Sequence, residues 1–480
     1  MEQRYETVIG LEVHAELNTA SKIFCGCATT FGAEPNTLCC PVCAGLPGVL
    51  PTLNRRAVEK TITAGLALHC EINEICRMDR KQYFYPDLPK AYQISQDRYP
   101  VCKNGYLALE SGGTERRVRI NRIHLEEDAG KLIHTDGATL VDCNRCGVPL
   151  IEIVTEPDLR SGAEVSSFLR ELRQILLACG VSDCKMQEGS LRCDVNLSIR
   201  PVGSSLLGER TEIKNLNSFA FAEKAVAAET ARQIAELEST GRVLRRTVRY
   251  LPQRGLTEPM RHKETLDAYR FFPEPDLRPF RISPATVERL RAALPELPAG
   301  KRARLQQEYG ISAGEAQVLS LTEGLSEYYE EAASGCGYPR VVASLLINDL
   351  LRHCGESPFF SPVSAARLCE LATLAGEGHV NRSVAKRLLT ALTEADFSPR
   401  ARAESEGLLQ INEESVILGW VHEVMADDEQ SVADYRKGRT NAMRALQGRL
   451  MAKSGGRANP TVAQRLLLDE LNKTEEDDHA

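Results

Sequence analysis

Hydrophobic and polar positions along this chain follow two different periods. From Thr7 to Leu17, the residues Ile9, Leu11, Val13, Ala15 and Leu17 fall on one side, and Glu12, His14 and Glu16 on the other. Strand side chains alternate between two faces, so this predicts a strand. From Leu191 to Arg200, Leu191, Cys193, Val195, Leu197 and Ile199 alternate with Arg192, Asp194, Asn196, Ser198 and Arg200. Both stretches predict antiparallel sheet with one buried and one polar face. Ser161 and Glu164 have capping-box spacing. After them Val165, Phe168, Leu169, Leu172, Ile175, Leu176 and Cys179 recur at helical spacing, and Gly180 supplies the stop. A second helix is predicted from about Phe219 to Thr240, ending at Gly241. Strands and helices mix without regular βαβ alternation, so the expected fold class is α+β.

Near 281–300 the texture changes, at a connector marked by Pro295 and Pro298. Beyond it the patterns are helical, as from Val341 to Leu351, and a polar break around 396–414 sets off a small helical tail. The expected domains are 1–290, 291–405 and 406–480. There are no internal repeats, and low complexity is confined to a short acidic end at Glu475–Asp478.

Composition narrows the function classes. The charged fraction of 26% and hydrophobic fraction of 42% are those of an ordinary globular protein. A net charge of −7 excludes an evenly basic nucleic-acid coat but leaves room for a local basic patch. No apolar run approaches the roughly 20 residues of a membrane span. Met1–Glu6 leads directly into the first patterned strand, so no signal or transit segment and a cytoplasmic location are expected. Of 16 cysteines, 13 lie at or before Cys193, which assigns any cysteine metal site to the N-terminal half.

Four groups of residues could carry chemistry. Glu12 and His14 share a strand face; Glu126 and Glu127 lie in the run His124–Asp128; Glu152 and Glu212 sit on further strands. Carboxylate oxygens are what hard divalent ions such as Mg²⁺ require, and solvated acids on an exposed face are the alternative. Glu126 and Glu127 point opposite ways in a regular strand, so joint service needs a strand end or bulge. Cys25 and Cys27, then Cys40 and Cys43, form two close thiol pairs that suit tetrahedral Zn²⁺ or stay reduced, with Cys39 as a spare neighbour. Cys143 and Cys146 are a redox pair, a third metal pair, or chance. The segment Asp79–Lys90, dense in cations, tyrosines and prolines, is a rigid loop or a polar substrate path. From Arg436 to Leu468, Arg436, Lys437, Arg439, Arg444, Arg449, Lys453, Arg457 and Arg465 occur without one acid. They fit phosphate-backbone contact or a basic face paired to acidic neighbours. The sequence has no phosphate-loop, dinucleotide-fingerprint or His-Glu-x-x-His motif, and no glycine-serine-rich amidase nucleophile loop.

Several long strings together resemble one family. Glu6–His14, Asp79–Asp87, His124–Lys131, Asp183–Arg192, Tyr269–Asp276 and the Asn459-Pro460 region are similar, in order, to the B subunit of the aspartyl/glutamyl-tRNA(Asn/Gln) amidotransferases. The resemblance implies a glutamine-synthetase-like catalytic cradle, then a helical domain and a tRNA-binding tail. It implies a heterotrimer with an amidase-type A subunit and a small C subunit. ATP would activate the side-chain carboxylate of Glu-tRNA(Gln) or Asp-tRNA(Asn), or both, as an acyl phosphate, which channelled ammonia displaces. His14, Glu127 and Glu152 are implied as one Mg²⁺ group and Glu12, Glu126 and Glu212 as a second. Arg80, Lys81 and Tyr83 are implied along the ammonia path, Cys25, Cys27, Cys40 and Cys43 around a structural zinc, and the basic tail on tRNA. Rival readings are a non-catalytic tRNA-binding scaffold and a free-standing ligase using free ammonia.

Overall fold

A computed structural model describes residues 4–111, 114–214, 216–260, 269–356, 359–439 and 441–473. The chain forms two compact units, Met1–Pro298 and Ala299–Ala480.

The first unit is built on one nine-stranded sheet. Its strands are β1 (Tyr5–Glu16), β2 (Glu71–Ile72), β3 (Cys102–Ser111), β4 (Thr114–Glu127), β5 (Pro149–Thr155), β6 (Leu191–Pro201), β7 (Thr211–Lys214), β8 (Arg246–Leu251) and β9 (Leu256–Pro259). They lie in the order β9-β8-β7-β6-β1-β5-β4-β3-β2, so the N-terminal strand is central. All neighbours are antiparallel except β7 and β8, which are parallel and joined through a helix, as a parallel crossover requires.

Three helices pack on the apolar face: α1 (Arg55–Ala67), α2 (Gly162–Ala178) and α3 (Phe219–Thr240). Ile9, Leu11, Val13 and Ala15 of β1 are fully buried against them. The ends of α2 and α3 follow from their caps. The Ser161 side chain accepts from Glu164 N–H, and that of Ser218 from Phe221 N–H. Gly241 closes α3 in the left-handed conformation (φ 74°). Glu164 departs from the reciprocal box, because its carboxylate accepts from the Arg160 N–H (2.8 Å). The opposite face of the sheet carries the polar alternates of β1, β4, β5, β6 and β7.

Among the described residues, the second unit is helical apart from one short hairpin and an isolated bridge. One core gathers residues from Leu305 to Ala403, and a separate core gathers Ile417 to Leu471. The helical pattern from Val341 is a helix at Pro339–Leu345 that widens into a π-helical turn over Leu346–Leu350. No helix among the described residues is long and apolar enough to cross a membrane.

Candidate active site and metal sites

Strand register decides what the polar positions of β1 meet. His14 stands opposite Glu152 of β5 and Arg192 of β6, while Glu152 stands opposite His124 of β4. Glu12 stands opposite Asp194 of β6, and Asn196 faces Glu212 of β7. Two acidic groups result. Ligand atoms of His14, Glu126 and Glu152 lie within 4.8 Å of one another, and so do those of Glu12, Asp194 and Glu212.

Charge binds the first group together. His14 Nε2 is 3.5 Å from Glu152 and 3.9 Å from Glu126. His124 Nε2 is 3.2 Å from Glu152 and 3.5 Å from Glu126. Burial favours neutral His124, but Glu152 and Glu126 outweigh it and raise the imidazole to about 9. Burial likewise pushes Glu152 up, and His124 with His14 drives it well below the usual carboxylate range. In the second group Lys214 reaches Asp194 at 2.6 Å and Glu212 at 2.7 Å. Burial and the neighbouring Glu152 raise Glu12, although Asn196 donates to it at 2.9 Å. Three carboxylates against one ammonium leave uncompensated negative charge. Both groups offer the carboxylate oxygens that hard divalent ions take as ligands.

Glu127 follows Glu126 along β4 and so points to the opposite face. Lys90 pairs with it there, and the Ile94 N–H donates to it at 2.9 Å. Glu126 lies with His14 and Glu152, and Asp194 lies with Glu12 and Glu212, while Glu127 stands with Lys90. Glu127 and Lys90 instead line a cavity of about 230 Å³ with Phe24, Cys25, Cys43 and Tyr92.

The sulfurs of Cys25, Cys27, Cys40 and Cys43 also lie within 4.8 Å of one another, with Cys40 and Cys43 3.9 Å apart. Tetrahedral zinc with Zn–S near 2.3 Å holds sulfurs roughly 3.8 Å apart, so the set fits that ion. The Cys25 thiol, the Cys40 N–H and the Lys22 ammonium pull Cys43 down to about 4, against the effect of burial. Cys39 turns to Asn144 Oδ1 (3.8 Å). Cys143 and Cys146 join no metal-binding group among the described residues.

Comparison with known proteins decides the family. Residues 7–288 match the family model described as the GatB/GatE catalytic domain, and residues 327–471 the one described as the GatB domain. The chain is 47% identical over 475 residues to the B subunit of the aspartyl/glutamyl-tRNA(Asn/Gln) amidotransferase of Caldanaerobacter subterraneus subsp. tengcongensis, covering 98% of this chain and 100% of that one. It is 46% identical over 479 residues to the protein of the same name from Carboxydothermus hydrogenoformans, again covering 98% and 100%. The chain belongs to the family of amidotransferase B subunits.

Two motifs that carried the resemblance to this family pack on each other. Phe272 and Pro273 pair with Arg80 and Asp79. Arg80 is locked by Glu274 (2.7 and 2.9 Å) and Asp276 (3.0 Å) and lies 4.1 Å over the Tyr92 ring. Lys81 has no ion pair among the described residues. Its ammonium lies 4.9 Å over Tyr269, and against the effect of burial it lowers the Glu126 carboxyl together with His124. Burial and the carboxylates of Asp87 and Glu126 push the Tyr83 hydroxyl up. Lys81 and Tyr83 thus border the acidic face, while Arg80 braces the wall.

The basic tail divides in two. Acids of the same helical unit take Arg439 (Asp434, 3.2 Å), Arg449 (Asp428, 3.1 Å), Lys453 (Glu423, 2.8 Å; Asp427, 2.9 Å) and Arg465 (Glu414). Among the described residues, Arg436, Lys437, Arg444 and Arg457 have no ion pair.

Sequence reasoning did not single out Asp194, His124, Lys214, Glu16 or Arg192 as site residues. Glu16 is pushed to about 8 by burial and the carboxylate of Asp128, which Arg192 holds at 2.6 Å. The signal for Asp194 and Arg192 was present, since both stand on the polar side of β6.

Proposed function

We propose that the chain is the ATP-dependent catalytic subunit of a tRNA amidotransferase. Its substrate is the side-chain carboxylate of Glu-tRNA(Gln), Asp-tRNA(Asn) or both, activated as an acyl phosphate and then amidated. The ammonia comes from an amidase-type A subunit, and a small C subunit completes the heterotrimer. The names of the relatives support the reaction class. The observation that carries the mechanism is two acidic groups side by side on one sheet face, joined through Glu12 and Glu152. A scaffold has no use for so many carboxylates gathered on one face, which like charges disfavour.

His14, Glu126 and Glu152 would hold one Mg²⁺ and Glu12, Asp194 and Glu212 the other. Bound there, Mg²⁺ supplies positive charge that screens the ATP phosphates and the substrate carboxylate from each other. The chain's own residues do the rest. His124 fixes Glu152 and Glu126 from behind. Lys81 and Tyr83 offer an ammonium and a hydroxyl at the edge of the face, where ammonia enters as a neutral, hydrogen-bonded molecule. Arg192 holds Asp128 beside the site. A sheet with helices on one face and chemistry on the other supports the glutamine-synthetase-type cradle.

The four sulfurs would hold a structural zinc. The separate helical cores support a middle domain and a tRNA-binding tail, divided near 291 and 406. All 16 cysteines are unpaired, which supports a reducing, cytoplasmic setting.

The test is Glu152→Gln in the assembled complex. We expect unchanged tRNA affinity and loss of tRNA-dependent ADP formation. Normal ADP formation by that variant would remove the catalytic reading and leave the tRNA-binding scaffold.

A further inference from the structure

The side chain of Lys22 is completely buried (0% exposed). A buried ammonium is strongly disfavoured unless it is hydrogen-bonded and faces negative charge. Its Nζ donates to the Leu38 carbonyl (2.8 Å), the Cys143 carbonyl (3.3 Å) and Cys43 Sγ (3.6 Å). Two of these partners are neutral, and among the described residues no carboxylate pairs with Lys22. The sulfur cluster is therefore the only formal negative charge that this lysine touches among the described residues.

We propose that Lys22 is the internal counter-ion of the four-cysteine knuckle and the residue that positions it. This rests on the metal-binding reading of those cysteines. Four thiolates around a divalent ion carry a net charge of −2, and one buried ammonium halves it. Loading releases the protons that the thiols still hold in exchange for one divalent ion, with no electron transferred. Lys22 donates to a sulfur that would be a metal ligand. The same ammonium ties three separate stretches together: the knuckle at Cys43, its connecting loop at Leu38, and the loop that begins at Cys143. That last loop returns to the acidic site. The Gly147 N–H donates to the Asp128 carbonyl (3.0 Å), and the Asp128 N–H donates to the Val148 carbonyl (2.9 Å). Asp128 directly follows Glu126 and Glu127. The knuckle is thereby fastened to the end of the strand that carries the active face, and Lys22 is one of the fasteners. Substituting such hydrogen-bonding neighbours of metal ligands weakens metal binding by about 10- to 100-fold.

The experiment uses the full chain in its assembled complex and follows metal, not activity. Zinc content of the unaltered protein tests the knuckle reading by itself: near-zero zinc, with no thiolate-to-metal band on adding Co²⁺, overturns that reading and this proposal with it. With metal present, Lys22→Met, Lys22→Gln and Lys22→Arg are compared for zinc release to a chromophoric chelator. Release about 10- to 100-fold faster in Met and Gln, with Arg near the unaltered rate, is the expected result. A red shift of the Co²⁺ thiolate band in Met and Gln accompanies it, since removing the positive charge beside sulfur raises the energy of its lone pairs. If Met fails to fold, Gln against Arg still separates charge from packing. Equal release rates in Gln and Arg, or an unmoved Co²⁺ band, overturn the counter-ion role while the knuckle stands.

Discussion

His124 sets Nε2 against Glu152 and Glu126 while its buried Nδ1 has no hydrogen-bond partner. It touches both carboxylates, and on the proposed reading it holds two Mg²⁺ ligands in one orientation. Removing it leaves Glu152 and Glu126 to repel each other. We expect His124→Ala to raise the Mg²⁺ concentration for half-maximal ATP-dependent amidation by about 10- to 100-fold, with tRNA affinity unchanged. A Mg²⁺ titration of the assembled complex checks this, and an unshifted midpoint would assign His124 to packing alone. The face to which each of these residues points was legible in the sequence. Period-two alternation placed Glu12, His14 and Asp194 on polar faces, and it separates Glu126 from Glu127. What the alternation could not supply is which strands are neighbours. Asp194 joins Glu12 only because β6 lies beside β1 in a given register, and that register is fixed by long-range packing, not by local spacing.

Helix α3 shows how an element is fixed to the sheet by one buried charge. Glu229 is fully buried and accepts from Arg232 (2.6 and 2.9 Å), Gln233 (3.0 Å) and Thr257 (2.8 Å), while Gln233 reaches Thr211 (3.1 Å). Burial pushes the Glu229 carboxyl up, but Arg232, Gln233 and Thr257 together hold it below its ordinary 4.5. A depressed folded-state value means the contribution is complete above pH 4.5 and disappears as pH falls through the lower folded value. Glu229→Gln should lose ~2 kcal/mol at pH 7, the scale of hydrogen bonds to a charged group. Thermal unfolding should show a loss of about 4–8 °C that shrinks below pH 4. Helix α1 meets the sheet at Gly65, where an added Cβ would fall on the Cys102 sulfur and 3.1 Å from Ile72 Cδ1. Cys102 is fully buried and has nowhere to go. Gly65→Ala should destabilise by about 1–3 kcal/mol, and Cys102→Ala in the same chain should recover part of it, as a thermal double-mutant cycle would show. The helices themselves were legible from caps and apolar spacing. The close approach at Gly65 was not, because a glycine inside a helical pattern does not say what lies against it.

At the scale of the whole molecule, the tail combines a local positive charge with a chain of net charge −7. Local spacing could not divide its cations, because the pairing acids Glu414, Glu423, Asp427, Asp428 and Asp434 all precede the basic run and meet it only after folding. Pairing predicts two different phenotypes. Arg449 and Lys453 are already neutralised, so replacing them removes surface ion pairs worth about 0–1 kcal/mol each and leaves tRNA affinity nearly unchanged. Arg436, Lys437, Arg444 and Arg457 have no ion pair among the described residues, and the proposed phosphate-backbone contact rests on them. Replacing these four with glutamine should raise the KM for aminoacyl-tRNA with little loss of kcat, because it removes binding common to ground and transition states. It should also lower the slope of log affinity against log salt concentration by about one for each cation that contacts phosphate. Filter binding of tRNA over a salt series, with paired and unpaired replacements side by side, decides the matter. Equal slopes in the two variants would show that tRNA is held elsewhere, and a lower slope only for Arg449 and Lys453 would show that the ion pairs open on binding.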